Sequence, residues 1–290
     1  MNHRSRLIRT SLTALLPALA LLTGTAAAAT ASASTAPTAV QRAEAAAAQA
    51  RAAIEHIVVG FQHDPALKVV HRSSGISGLS QVESTNWSGY ADTGSGFSQV
   101  SASWIEPTGV SSGRRTTSLA AFWVGIDGYS SDTVEQDGTL IESYRGTLYY
   151  YDWWEIYPEN DVQVVADVSP GDSITSTVTR SGDSYTLSVT DATHPADSFS
   201  TTQTYSGAAD SSAEWIAEAP SGSNGVYPLT DFGTWTDSSS TVTEGSTSGV
   251  ISSFTDDEIT MVNGNTGAVE AQPGALNSSG NGFSVTWESS

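Results

Sequence analysis

The 290-residue chain contains no cysteine and only one lysine, Lys68, and four of its five histidines precede residue 72. Beyond Ser80 it therefore has neither Lys nor Cys, and one histidine, His194. No disulfide can staple the fold, and no thiolate can serve as nucleophile or metal ligand. A Ser–His–Asp or Cys–His site needs a histidine base, and a zinc site needs His or Cys ligands. The one histidine left lies in Asp191-Ala-Thr-His-Pro-Ala-Asp197, which reads as a polar turn. Carboxylates, amides and water remain to carry any hydrolytic chemistry, and no metal is expected.

Positive charge is scarce and unevenly placed. Of 31 Asp and Glu, only Glu44, Glu55 and Asp64 precede Glu83; of 11 Lys and Arg, only Arg114, Arg115, Arg145 and Arg180 follow it. So anionic a region is a poor partner for nucleic acid or an anionic membrane. Its self-repulsion falls as carboxylates protonate, so the composition suits an acidic workplace.

Apolar runs long enough to cross a bilayer are also missing. Arg4, Arg6 and Arg9, an apolar run from about Leu12 to Leu22 and the small residues 26–29 predict a secretory signal peptide over 1–29. The product is then secreted, with no membrane attachment after signal removal. Residues 30–81 read as a pro-segment, Ala-rich and of high helix propensity over 39–57. Being slightly cationic, it is expected to dock on the acidic mature domain, 82–290, and inhibit it until acid releases it. Nothing in the pattern suggests oligomerisation, and a monomer is expected.

Beyond Ser80 the pattern is β throughout. Val100-Ser-Ala-Ser-Trp104, Tyr185-Thr-Leu-Ser-Val-Thr190 and Phe283-Ser-Val-Thr-Trp287 alternate apolar and polar with period two. Val162–Val168 is a fourth run, and Ser181-Gly-Asp183 is a hairpin turn joining two of these runs. Many short strands punctuated by Ser, Thr, Gly and Asp predict an all-β, antiparallel sandwich of jelly-roll or concanavalin-like type.

Three segments depart from the Ser/Thr-rich background. They are Phe122-Trp-Val-Gly-Ile-Asp-Gly128 with the following Val134-Glu-Gln-Asp-Gly138, then Tyr151-Asp-Trp-Trp-Glu-Ile-Tyr-Pro158, then Ala213-Glu-Trp-Ile-Ala-Glu218. In the third, a strand would place Glu214, Ile216 and Glu218 on one face and Trp215 and Ala217 on the other. Two carboxylates around an isoleucine are costly to bury without a purpose. Acidic side chains set among Trp and Tyr have the surroundings that raise a carboxyl pKa towards acid–base usefulness.

These motifs, in this order and with Asn86-Trp87 ahead of them, resemble the glutamic peptidases, the eqolisin family. The resemblance spans nearly the whole presumed mature region and implies a β-sandwich enzyme that cuts polypeptides in acid, without a cofactor, through a Gln/Glu dyad. Carried onto this sequence, the dyad is Gln136 and Glu218. The matching supporting residues are Trp87, Trp123, Asp127, Trp153 and Glu155. The chain differs from fungal members in lacking their cysteines, and the stretch from Gly128 to Gln136 is about one residue shorter. In the implied chemistry Glu218 takes a proton from water and returns it to the leaving amine, while the Gln136 amide donates to the oxyanion. An ordinary Glu titrates near ~4.3, so a Glu base still works in moderate acid where a histidine base would be protonated. The tryptophans would wall the cleft, and Asp127 and Glu155 would orient the dyad.

Two other readings use the same residues. A jelly-roll glycoside hydrolase would pair Glu155 with Glu218 and stack sugars on tryptophan. A secreted carbohydrate-binding module could hold Ca²⁺ at Asp256-Asp-Glu258, although that run lacks the spacing of a calcium loop.

Overall fold

The computed structural model describes residues 61–62, 70–72 and 80–290. The predicted signal peptide, the Ala-rich 39–57 stretch and most of the pro-segment lie outside these residues. Strands form where the sequence alternates or runs apolar. The labelled strands are β1 (Ser80–Ser84), β2 (Trp87–Thr93), β3 (Phe97–Ile105), β4 (Ser118–Ile126), β5 (Val134–Tyr144), β6 (Thr147–Tyr157), β7 (Asn160–Asp167) and β8 (Ser173–Ser181). They continue as β9 (Ser184–Asp191), β10 (Phe199–Thr204), β11 (Ser212–Glu218), β12 (Thr234–Glu244), β13 (Thr255–Val262), β14 (Val269–Pro273) and β15 (Phe283–Trp287). No α-helix occurs among the described residues.

The strands form two layers. The first runs β7-β6-β5-β4-β11-β2-β13, each neighbour antiparallel to the next. β1 adds parallel to β13. The second layer runs β12-β3-β8-β9-β10, again antiparallel. The architecture is the expected all-β sandwich. One strand serves both layers: Thr234–Asp237 of β12 pairs with β15, while Ser238–Glu244 pairs with β3. The switch falls at a register shift containing Ser239, whose φ is +59°. There the Ser240 hydroxyl donates to both carboxylate oxygens of buried Asp237.

Position in the sandwich explains the two sequence patterns. In β3, β8 and β9 buried and partly exposed residues alternate, because only one face meets the core. β4, β5 and β11 are buried on both faces almost throughout, and β4 accordingly reads as a near-continuous apolar run. Between the layers lie Phe97, Val100, Trp104, Phe122, Val124, Val178, Leu187, Trp215 and Trp235. Ring packing adds to this core: Phe122 stacks on Trp235 at 5.4 Å, and Trp104 meets Trp235 edge-on at 5.8 Å.

The outer face of the first layer carries a second apolar cluster, of which Trp87, Leu119, Trp123, Leu140, Tyr151, Trp153 and Ile216 are members. In β11, Ile216 belongs to this cluster while Trp215 and Ala217 belong to the inner core. The alternation expected for that strand is the one observed. The Gly182-Asp183 turn is also present, but its incoming strand is Ser173–Ser181 and not Val162–Val168. The Thr/Ser-rich alternation of β8 offers few bulky apolar side chains to mark it.

Candidate active site

Register across the first layer sets the site. Antiparallel partners share a face, so one row reads Trp153, Gly138, Trp123, Ile216 and Gly89 across β6, β5, β4, β11 and β2. A second row reads Glu155, Gln136, Gly125, Glu214 and Ala91. A third reads Tyr151, Leu140, Ala121, Glu218 and Trp87. Six of the seven residues picked from sequence therefore stand on one face of one sheet.

Two glycines make room for the rings. A Cβ on Gly138 would lie 2.0 Å from the Phe122 carbonyl oxygen and 2.7 Å from Trp123 Cα, so the Gln-x-Gly motif needs its glycine for close backbone approach. A Cβ on Gly125 would lie 2.8 Å from Trp123 Cζ3 and 3.3 Å from Gln136 Cβ. The benzo edge of the Trp123 indole thus rests over Gly125 beside the Gln136 stem. Its other end reaches Glu218, with Nε1 donating to Glu218 Oε2 at 2.8 Å. Trp87 packs edge-on against the same indole, centroids 4.9 Å apart. One rigid indole therefore spans the interval between Gln136 and Glu218.

On the far side of Gln136, its Nε2 donates to Glu155 Oε2 at 2.8 Å. That bond fixes which way the amide points and leaves a second N–H free to donate elsewhere. Gln136, Glu155, Glu218, Trp87, Trp123 and Trp153 are all buried in the full chain. Glu214, in the Gln136 row, is buried as well. Burial first, then the fields of Asp127, Glu135 and Asp92, hold its carboxyl well above the usual range.

Asp127 takes a different place. It ends β4 in the left-handed region, with φ +72°. Its carboxylate accepts from the Ala209, Asp210 and Ser211 amides at 2.7–2.8 Å and from Ser211 Oγ at 2.9 Å. It ties the 209–211 loop that leads into β11, and so positions Glu218 through the strand. Asp127→Ala should orphan three amides and cost about 3 kcal/mol or more of stability. Urea denaturation would read this as a lower midpoint.

The competing readings fare poorly. The Glu155 carboxylate turns to Gln136 and that of Glu218 to Trp123, on strands three apart, which is no arrangement for a close carboxylate pair. Asp256, Asp257 and Glu258 lie in β13 and alternate faces, Asp257 accepting from Tyr129 at 2.6 Å and Glu258 from Tyr90 at 3.1 Å. They cannot converge on one cation. His194 sits in the turn after β9, with Nδ1 3.0 Å from Asp172 Oδ1.

The family model described as Peptidase A4 matches residues 85–281. The chain belongs to this family. It is a peptide-bond hydrolase, a glutamic peptidase acting on polypeptides. Scytalido-glutamic peptidase, solved with a transition state analog inhibitor, is 23% identical to it. That match has a TM-score of 0.61 and covers 70% of this chain and 98% of the other. SCP-B, an eqolisin-family peptidase solved with the tripeptide Ala-Ile-His, is 24% identical with a TM-score of 0.58, over 70% and 98% of the two chains. At these identities the likeness is one of fold. No curated protein matches the chain.

Sequence reading passed over Tyr151, which stands in the Glu218 row with its hydroxyl buried and without a hydrogen-bond partner among the described residues. Its period-two spacing from Trp153 and Glu155 was the available signal.

Proposed function

We propose that the peptidase is a secreted, monomeric, acid-acting endopeptidase whose Gln136 and Glu218 form the catalytic dyad. Glu218, as carboxylate, removes a proton from the attacking water and delivers it to the departing amine. The Gln136 amide donates its spare N–H to the tetrahedral oxyanion, its other N–H being committed to Glu155. Trp123 keeps the two at a fixed spacing, and the tryptophan-lined face keeps bulk water away from the intermediate. The observation that carries this reading is the single Trp123 indole, hydrogen-bonded to Glu218 at one end and lying beside Gln136 at the other. The anionic domain and the sparse cations upstream support a pro-segment that inhibits at neutral pH and is released by acid.

The test is hydrolysis of an unfolded protein at about pH 3–4 by acid-treated chain. Gln136→Ala should lower kcat by about 10²–10³, the scale of one oxyanion donor. A change confined to KM would mean that Gln136 binds substrate and does no more.

A further inference from the structure

Several buried polar atoms on the site face lack a hydrogen-bond partner among the described residues: Trp87 Nε1, Gln136 Oε1, Tyr151 Oη and, beyond them, Ser221 Oγ. Leaving such a group unpaired costs about 1–3 kcal/mol, so each has capacity for a further hydrogen bond. Ser221 opens a short hairpin just past Glu218. Ala219 anchors the approach, its amide donating to the Asn86 carbonyl at 2.8 Å. Ser221 and Gly222 then pair on one side with Val226 and Gly225.

The other side of Ser221–Gly222 is also engaged. Phe61 and Gln62 lie antiparallel along it, Phe61 opposite Gly222 and Gln62 opposite Ser221. The same two residues come within 8 Å, Cα to Cα, of β7. β7 borders β6, which carries Trp153 and Glu155, whereas the hairpin extends from the Glu218 strand. An extended backbone thus lies between the two flanks of the site face, held by main-chain pairing on the Glu218 side.

We infer that the outer edge of Ser221–Gly222 receives the substrate backbone by strand addition, and that Phe61–Gln62 occupies this edge until substrate replaces it. This rests on the dyad reading above. The ligand class is an extended peptide main chain. Its amides and carbonyls would pair with the edge whatever the side chains. Proline opposite Ser221 or Gly222 removes a ladder donor, so substrates carrying it there would bind poorly.

Two measurements decide the matter. The first is amide hydrogen exchange on the intact chain at neutral pH, comparing wild type with Phe61→Pro/Gln62→Pro. Exchange at Ser221, Gly222 and Gly225 should quicken at least about tenfold while β11 is unchanged. Unchanged hairpin protection overturns the seating of Phe61–Gln62, and this arm needs no activity. The second uses a synthetic peptide of residues 58–64 against acid-treated wild-type chain. It should inhibit competitively, and N-methylating its Phe61 and Gln62 amides should weaken it at least about tenfold. Inhibition that is non-competitive, or indifferent to methylation, overturns the strand-addition mode. If acid-treated chain cleaves no protein at all, the peptidase mechanism fails, and with it the substrate half of the inference; exchange still decides the seating.

Discussion

Acid-treated chain carrying Glu218→Gln is expected to fold normally and turn over protein substrate at least about 10³-fold more slowly than wild type. General acid–base catalysis contributes about 10²–10⁴, and here one carboxyl serves as base and then as acid. An amide can do neither. The fold should tolerate the change because it is isosteric, and the Trp123 Nε1 bond can pass to the amide oxygen. The measurement is kcat on an unfolded protein beside the urea midpoint of the same preparations. An unimpaired kcat would remove Glu218 from the chemistry, whereas a lowered midpoint would mean the loss was structural. Glu155→Gln is the internal control. Its amide oxygen can still accept from Gln136 Nε2, so activity should fall by much less, about tenfold. Equal losses in the two variants would point back to a pair of acting carboxylates.

Side-chain period made much of this site readable. The alternation in Ala213–Glu218 placed Glu218 and Trp215 on opposite faces, and the two sides of β11 show why it had to: Ile216 packs beneath the site face and Trp215 inside the sandwich. The glycines of the motifs were legible as turn signals only. Their real work, backbone approach at Gly138 and room for an indole at Gly125, needs the register of β4 against β5. Asp127 read as a residue that orients the dyad. Its carboxylate proves to be taken up by the 209–211 loop, a partner more than 80 positions away that no local pattern encodes. The crossover of β12 between layers was likewise hidden. It depends on Ser239 at positive φ and on Ser240 reaching back to Asp237, in a stretch of four Ser and Thr whose types demand nothing of the kind. The hairpin edge at Ser221–Gly222 carries no periodic signal either, being two residues long.

The fold should also be stable in acid and lose stability steeply towards neutral pH. Burial pushes the carboxyls of Glu106 and Glu142 up to about 8 and those of Asp92 and Glu135 up to about 9. Asp137, Asp152, Glu214 and Asp237 are likewise raised well above the usual range by burial. In the unfolded chain such groups titrate near ~4. Below that pH both states hold their protons, and the stability of the fold is fully present. Between pH ~4 and ~8 the unfolded chain releases protons that the folded chain retains, so each group lowers the unfolding free energy by about 1.4 kcal/mol per pH unit. Relaxation and water entry will blunt the sum. Even two such groups acting fully would remove about 5 kcal/mol over two pH units, comparable with the whole stability of a marginal domain. The urea midpoint of acid-treated chain should therefore fall continuously from pH 4 to pH 8; a flat or rising profile would sink the argument. Glu106→Gln isolates one contributor. The amide oxygen can keep the bonds from Thr139 Oγ1, at 2.7 Å, and Trp104 Nε1, at 3.2 Å, without a proton to lose. The variant should match wild type at pH 3 and exceed it by about 1–3 kcal/mol at pH 7. Equal stability at both pH values would mean that Glu106 finds a way to ionise within the fold and contributes nothing to the pH dependence.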